Sequence, residues 1–209
     1  MLTKVKICGI TNVDDAHAAQ LAGADFVGLV FVEHSPRKVT LDRAHEIVQA
    51  LRHQTPVVGV FKNSSIALVN KIGSDLELDL IQYHGEESPE VCQATVLPVI
   101  KAFSINKTFD WSVINAYRQV TKYIILDRPK DCKCTSWMRT VLDQLCHNRT
   151  QLPEYFFAGG LTPDNVGALV SHLKPFAVDV ASGIETAPGI KDSSQMEQFI
   201  AAVQGANKQ

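Results

Sequence analysis

A thiol and a carboxyl group stand at the ends of two short apolar runs and are the best candidates for chemistry in this sequence. Cys8 closes the run at residues 5–8, and Asp127 closes the run at 123–127. Side chains alternate between two faces of a strand, so Lys6 lies on the same face as Cys8, where a cation is expected to lower the pKa of the thiol. A thiolate base and a carboxylic acid shielded from water would together catalyse proton transfer.

Each of these residues also has a simpler interpretation. Most free cysteines are small buried hydrophobic residues, and an aspartate that follows a strand often accepts hydrogen bonds from the backbone of the next loop. The chemical interpretation of Cys8 and Asp127 therefore depends on a fold that brings their two strand ends together.

Two other side chains follow apolar runs and could contact a polar ligand. Arg37 can bind a planar carboxylate through two parallel hydrogen bonds, although an exposed arginine is usually solvated. His84 can donate a hydrogen bond or relay a proton, and a structural histidine is the alternative. We predict that Arg37 and His84 contact a substrate.

Glycine-bearing turns close the last two apolar runs. Gly159-Gly160 and Ser182-Gly183 would let backbone N–H groups come close to a phosphate, and a helix is expected to begin after the first turn. A bend between a strand and a helix also favours glycine, so each turn alone is a weak signal. The two turns together predict a site for a phosphorylated small molecule.

Eight apolar or β-branched runs alternate with amphipathic stretches along the chain. The runs occupy residues 5–8, 26–31, 57–61, 80–84, 96–103, 123–127, 155–159 and 177–182. Helix start signals occur at Asn12, Thr40, Ser64, Ser88, Asp110, Thr135, Thr162 and Ser193. This alternation predicts an α/β fold, a (β/α)8 TIM barrel of eight parallel strands with surrounding helices, as one domain over residues 1–209.

An open, doubly wound sheet is the alternative, but the turn after Cys8 lacks the glycine pattern of dinucleotide-binding folds. In a closed barrel, functional residues lie at the C-terminal ends of the strands, and strand 1 pairs with strand 8. Strand parity then places both Lys6 and Asp179 inside the barrel. A buried cation is costly without a partner, so we predict a Lys6–Asp179 ion pair beneath Cys8.

The composition argues against several classes of partner. The 209 residues carry a formal net charge of −2, and no basic block marks a site for nucleic acid or an anionic membrane. No apolar segment is long enough for a membrane span or a secretory signal, which predicts a cytoplasmic protein. The five cysteines are expected to be reduced, and the spacing of Cys132, Cys134 and Cys146 does not match a usual zinc site.

Eight motifs occur in a fixed order along the chain. They are KICGIT at 6–11, GLVF at 28–31, SPRKV at 35–39, VGVF at 58–61, QYHG at 82–85, LD at 126–127, AGGLTP at 158–163 and DVASGIE at 179–185. In this order they resemble the phosphoribosylanthranilate isomerase family over nearly the whole chain. The combination of KICGIT with SGIE is highly specific, whereas other phosphate-binding barrels share the glycine turns.

The resemblance implies a (β/α)8 barrel that uses no metal or cofactor. It implies an Amadori-type rearrangement of N-(5′-phosphoribosyl)anthranilate to 1-(2-carboxyphenylamino)-1-deoxyribulose 5-phosphate in tryptophan biosynthesis. The sequence leaves the oligomeric state open between a monomer and a homodimer. By this resemblance, Cys8 would be the general base and Asp127 the general acid. Arg37 would bind the anthranilate carboxylate. The phosphate would lie at the turns Gly159-Gly160 and Ser182-Gly183.

One segment departs from the family. Members usually carry a glycine-rich stretch that leads to Phe-Asp-Trp, whereas residues 128–137 read RPKDCKCTSW here and only Trp137 matches; Ala181 replaces the more familiar serine. This loop adjoins Asp127, so a non-catalytic or altered-specificity barrel that binds a sugar phosphate remains an alternative. The related aminoaldose isomerase of histidine biosynthesis is a second alternative, but its strand 1 base is a carboxylate.

Overall fold

Eight parallel strands close into a barrel in the computed structural model, which describes residues 2–52, 54–128, 143–145 and 152–208. Each strand pairs with its neighbour in sequence, and β1 also pairs with β8. This order confirms the predicted (β/α)8 barrel. The strands are β1 (Lys4–Cys8), β2 (Phe26–Val30), β3 (Val57–Phe61), β4 (Leu80–Tyr83), β5 (Val99–Ser104), β6 (Tyr123–Asp127), β7 (Tyr155–Ala158) and β8 (Ala177–Val180).

Helices cover the outside of the barrel. In the described residues they are α1 (Val13–Ala22), α2 (Leu41–Leu51), α3 (Ile66–Asp75), α4 (Pro89–Ala94), α5 (Pro163–Leu173) and α6 (Ser193–Ala206). Two 3₁₀ helices span Trp111–Tyr117 and Ser182–Ile184. A small antiparallel hairpin of β9 (Glu185–Ala187) and β10 (Ile190–Lys191) follows β8.

Most predicted helix starts agree with the structure. Four are confirmed as N-cap residues: Asn12, Thr40, Ser88 and Thr162. Two predictions are wrong by one residue, because Ser65 rather than Ser64 caps α3 and Asp192 rather than Ser193 caps α6. In both cases the capping side chain accepts a hydrogen bond from the backbone N–H three residues further on.

The segment after Asp110 is a 3₁₀ helix rather than the predicted longer amphipathic helix. The Asp110 side chain accepts a hydrogen bond of 2.9 Å from the N–H of Ser112, and the helix ends at Tyr117. The predicted start at Thr135 lies outside the described residues.

The fifth predicted strand is wrong at its beginning. Val96 is 81% exposed, and β5 begins at Val99 and continues to Ser104. Several other predicted runs extend one or two residues beyond their strands. These additional residues, including His84 and Ser182, lie in the loops that follow the C-terminal ends of the strands, where a barrel of this type carries its site.

The barrel interior is apolar at one end and partly polar at the other. A cluster of inward-facing aromatic and aliphatic side chains fills the centre, including Phe26, Val58, Leu80, Ile125 and Phe156. Above it, near the C-terminal ends of the strands, Cys8 packs with Val30 and Val60. The polar end therefore rests on a close-packed base that holds its position.

The predicted Lys6–Asp179 ion pair is confirmed. Lys6 Nζ lies 2.9 Å from Asp179 Oδ1, and the Lys6 side chain is fully buried. The two residues are direct neighbours in the β1–β8 pairing. Burial lowers the pKa of Lys6, but the charge of Asp179 and the neighbouring Cys8 outweigh burial, so the pKa is raised and Lys6 stays charged.

A glycine on β2 makes room for this pair. A Cβ atom at Gly28 would lie 2.8 Å from Cys8 Sγ and 3.1 Å from Lys6 Nζ, both too close for an ordinary contact. The amine and the thiol therefore occupy the space that a larger residue at position 28 would need.

Removal of one member of the pair should destabilise the barrel more than removal of both. We predict that Asp179→Ala lowers the free energy of unfolding by about 3 to 5 kcal/mol, because it leaves a buried lysine without its counter-charge. The double variant Lys6→Met, Asp179→Val should recover most of that loss. Urea unfolding of the wild type, both single variants and the double variant measures the coupling. A single variant as stable as the wild type would contradict the prediction.

Candidate active site

A cavity of about 320 Å³ opens at the C-terminal ends of the strands. This position is where barrels of this architecture bind and transform their ligands. Its lining contains all the site residues that the sequence predicts: Cys8, Arg37, His84, Asp127, Gly159, Gly160, Ser182 and Gly183. The fold therefore brings together residues that are up to 175 positions apart in the chain, from Cys8 to Gly183.

Cys8 is at the end of β1, with Lys6 beneath it. The thiol is buried, and burial raises its pKa more than Lys6 lowers it; the charge of Asp179 raises it further, while Lys191 lowers it slightly. The expectation that Lys6 leaves Cys8 with a lowered pKa is therefore wrong. The physical reason is the burial of the thiol, which outweighs the effect of Lys6. Asp179, the ion-pair partner of Lys6, raises the pKa of the thiol further.

Asp127 ends β6 and contacts His84 across the mouth. His84 Nε2 lies 3.2 Å from Asp127 Oδ2, and the Gln82 amide nitrogen lies 3.1 Å from His84 Nδ1. An amide nitrogen can only donate, so Nδ1 accepts, and the proton on Nε2 is donated to Asp127. The carboxyl oxygens of Asp127 remain partly accessible from the cavity, since the side chain is 26% exposed.

Gln82 is the polar side chain on the inner face of β4. It is buried, and its Oε1 has no hydrogen-bond partner among the described residues. Its amide nitrogen sets the ring orientation of His84, because Nδ1 must face the donor. Gln82 thus supports the contact between His84 and Asp127 from within the barrel.

Arg37 is held by a carboxylate of the chain itself. Its Nε lies 2.7 Å from Glu185 Oε1 and its Nη2 lies 2.5 Å from Glu185 Oε2, in a two-bond ion pair. The Arg37 side chain is only 15% exposed, so the alternative of a solvated surface arginine is wrong. The pair raises the pKa of Arg37, chiefly through the hydrogen bonds to Glu185.

Lys191 joins this pair to the ends of two strands. Its fully buried Nζ donates to Glu185 Oε1 at 2.8 Å, to the carbonyl of Cys8 at 2.7 Å and to the carbonyl of Ala181 at 3.0 Å. Burial raises the pKa of Glu185, but Arg37 and Lys191 together outweigh burial and lower it. Glu185 is therefore ionised at neutral pH.

The two glycine turns lie against each other at the rim of the cavity. Gly159 and Gly160 have φ angles of 95° and 61°, which residues with a side chain rarely adopt. A Cβ at Gly183 would collide with the carbonyl oxygen of Leu161. Arg128 donates to the carbonyls of the first turn at 3.0 and 3.1 Å, which fixes the turn from outside.

The sequence analysis missed four residues that shape the site: Gln82, Arg128, Glu185 and Lys191. Glu185 ends the SGIE motif and Lys191 lies six residues downstream, but no spacing rule pairs them with Arg37. Gln82 was detectable in principle, because a polar side chain with inward parity in the apolar strand β4 needs a partner. Arg128 carries no such signal.

Some sequence predictions concern residues beyond those that the structure describes. The cysteines at 132, 134 and 146 and the family departure at 129–137 belong to this group. Within the described ranges, no cluster of three or more His, Cys, Asp or Glu side chains could hold a metal ion. No helix in those same ranges combines the length and hydrophobicity needed to cross a membrane.

Comparison with known proteins gives one consistent family. The profile of the N-(5′-phosphoribosyl)anthranilate isomerase family matches residues 5–202. Relatives of that name from Geobacter sulfurreducens and Geotalea uraniireducens are 40% and 38% identical to this chain. Each alignment covers 98% of this chain and 100% of the relative.

Solved structures agree with these sequence comparisons. The phosphoribosylanthranilate isomerase of Thermotoga maritima superimposes with a TM-score of 0.89 at 34% identity, over 98% of this chain and 100% of the other. A complex of such an enzyme with reduced 1-(o-carboxyphenylamino)-1-deoxyribulose 5-phosphate gives 0.85 at 33% identity, with the same coverage. Monomers generated from the dimeric T. maritima enzyme give a TM-score of 0.84 at 32% identity, again with the same coverage. This chain therefore belongs to the N-(5′-phosphoribosyl)anthranilate isomerase family.

Proposed function

We propose that this chain, an isomerase of tryptophan biosynthesis by its family, uses Cys8 as general base and Asp127 as general acid. The observation that carries the proposal is that both groups line one cavity, together with a cation and two glycine turns that suit the two anionic ends of the substrate. The thiol and the carboxyl group reach this cavity from β1 and β6, on different sides of the barrel mouth.

The reaction requires one proton donor and one proton acceptor. Asp127 donates a proton to the furanose ring oxygen, the C1′–O bond breaks, and the nitrogen lone pair forms a C1′=N iminium. Cys8 as thiolate then removes the C2′ proton, and the electrons of that bond form C1′=C2′ while the nitrogen regains its lone pair. The enolamine takes up a proton at C1′ and loses one from the C2′ hydroxyl to give the ketone, so atoms and electrons balance within one molecule.

Two groups of residues position the substrate in this proposal. Arg37 binds the anthranilate carboxylate through the donors that Glu185 leaves free, and the turns Gly159-Gly160 and Ser182-Gly183 bind the phosphate through backbone N–H groups. His84 contacts the substrate beside Asp127 and donates a hydrogen bond from Nε2 to this carboxyl group at 3.2 Å. Asp127 is partly exposed at the mouth and takes up a proton from water between turnovers. These anchors hold C2′ over Cys8.

The remaining expectations extend this proposal. The chain acts as a single domain, a monomer or a homodimer in the cytoplasm, on a phosphorylated small molecule and without nucleic acid or membrane partners. The net charge of −2 supports the last point. The steps above move protons and bonding electrons inside one substrate molecule, so they need no external oxidant or reductant and no cofactor.

Replacement of the acid or the base should abolish most turnover and leave the fold intact. We expect Cys8→Ala and Asp127→Asn each to lower kcat about 10²- to 10⁴-fold, the usual contribution of a positioned acid or base. Cys92→Ala and Asp164→Asn are matched controls, because both residues lie outside the cavity lining. Steady-state assays with N-(5′-phosphoribosyl)anthranilate measure the effect. Near wild-type kcat in either variant would remove that residue from its role.

The anthranilate carboxylate should make Arg37 important mainly for binding. Arg37→Ala is expected to raise KM by about tenfold or more with a smaller change in kcat, because the carboxylate does not change during the reaction. Arg43→Ala on α2 is the matched control, because Arg43 lies outside the cavity lining and forms an exposed ion pair with Glu46. An unchanged KM in Arg37→Ala would exclude the contact.

The raised pKa of Cys8 has a measurable consequence. Alkylation of Cys8 by iodoacetamide should continue to rise with pH above the ordinary range of thiols, and Lys6→Met should move this rise to still higher pH, because Lys6 lowers the pKa. Peptide mass spectrometry resolves Cys8 from Cys92, whose pKa is raised to about 11 mainly by burial and does not depend on Lys6.

Cys92 serves as the internal control of this experiment. Its profile should be identical in the wild type and in Lys6→Met, and faster labelling of Cys92 would reveal a loosened fold instead of a local effect. A Cys8 profile unchanged by Lys6→Met, with Cys92 also unchanged, would show that Lys6 does not influence the thiol.

A further inference from the structure

Arg37 is restrained along its whole length. A Cβ atom at Gly9, which has a φ angle of 74°, would lie 2.5 Å from Arg37 Cδ and 3.3 Å from its Cβ and Cγ. The aliphatic part of Arg37 therefore lies flat against Gly9, the residue that follows Cys8. At the far end, Glu185 holds the guanidinium by two hydrogen bonds.

The Glu185 contact also determines which part of the guanidinium stays available. Glu185 accepts from Nε and from one N–H of Nη2. Both N–H groups of Nη1 and the second of Nη2 have no partner among the residues that the structure describes. These form the other edge that can bind a carboxylate in the plane of the guanidinium. Arg37 lines the cavity while Glu185 and Lys191 do not, so Glu185 holds Arg37 from the side away from the substrate.

An acidic partner alone would weaken the attraction of Arg37 for an anionic substrate. Lys191 prevents this, because its ammonium group lies 2.8 Å from Glu185 Oε1 and restores a net charge of one positive unit to the three side chains. Arg37 and Lys191 both pair with Glu185, whose side chain is 4% exposed. Lys191 also donates hydrogen bonds to the carbonyls of Cys8 and Ala181. The three groups form a rigid unit with one positive charge.

We infer that Glu185 is a positioning residue for substrate recognition, which presents the free edge of Arg37 to the aryl carboxylate while Lys191 maintains the positive charge. This inference rests on Arg37 being the carboxylate partner, as proposed above. A positioning role and a purely electrostatic role of Glu185 predict opposite changes in the affinity for the carboxylate. Removal of the negative charge of Glu185 would strengthen the attraction for an anion, whereas the loss of its hydrogen bonds would release Arg37 and weaken recognition.

The experiment compares two ligands and four proteins. The ligands are reduced 1-(o-carboxyphenylamino)-1-deoxyribulose 5-phosphate and the same compound made from aniline, which lacks only the carboxylate. The proteins are the wild type, Arg37→Ala, Glu185→Gln and the control Glu197→Gln, which removes an exposed negative charge from α6. Calorimetric titration gives the affinity of each pair, and thermal unfolding verifies the fold of each variant.

We expect Glu185→Gln to weaken binding of the carboxylate ligand about tenfold, which is the loss typical of a charged hydrogen bond. The affinity for the aniline ligand should stay within about twofold of the wild-type value. Glu197→Gln should bind both ligands as the wild type does. Equal losses for the two ligands would reduce Glu185 to a general structural role and overturn the inference. Tighter binding of the carboxylate ligand would overturn it as well, since charge alone would then govern recognition.

The result for Arg37→Ala distinguishes a failure of this inference from a failure of the proposed binding mode. If Arg37→Ala still prefers the carboxylate ligand over the aniline ligand, Arg37 does not bind the carboxylate. The proposed binding mode is then wrong, whatever Glu185→Gln shows. If Arg37→Ala loses that preference and Glu185→Gln keeps it, only the positioning role fails. A fifth protein, Lys191→Met, tests the charge balance. It should lower the affinity for the carboxylate ligand more than the affinity for the aniline ligand, and an equal effect on both would contradict the role of Lys191.

Discussion

A buried ion pair between the first and the last strand of the barrel holds the site together. Lys6 and Asp179 are cross-strand neighbours at the β1–β8 seam, in a position where each alone would be an uncompensated charge. The seam places Cys8 beside the turn after β8, and the same lysine lies directly under the thiol. The ion pair therefore adds to the backbone pairing that closes the barrel and also contributes to the electrostatic environment of the thiol.

The charges at the barrel mouth form a connected set. Arg37 lies in the loop after β2, whereas Glu185 and Lys191 belong to the hairpin after β8. The backbone carbonyl of Cys8 accepts a hydrogen bond from Lys191. Beneath them lies the Lys6–Asp179 pair. Cys8 is thus surrounded by fixed charges whose effects on its pKa partly cancel, which leaves burial as the dominant influence. A base with a raised pKa is a strong proton acceptor once ionised, at the cost of a smaller ionised fraction.

The fold and much of the site could be predicted because they depend on short-range patterns. Alternation of side chains along β1 and β8 is enough to place Lys6 opposite Asp179, and strand ends are enough to select Cys8 and Asp127. The partner of Arg37 could not be predicted in this way, since Glu185 is 148 residues away. Arg37 lies in a loop, and Glu185 begins the short strand β9, which is outside the barrel. The direction of the Cys8 pKa was also inaccessible, because the extent of burial depends on the packing of the entire mouth.

The anchoring of Lys191 has a consequence for the order in which the enzyme becomes active during synthesis. Its ammonium group bridges the carbonyl of Cys8 to residues of the hairpin, across 183 positions of sequence. While the ribosome still holds the last helices in its exit tunnel, β1 has no neighbour on one side and Arg37 has no carboxylate to hold it. A nascent chain therefore exposes an incomplete mouth until the hairpin of β9 and β10 has emerged. The cavity receives its rigid cation only when this hairpin docks onto the end of β1.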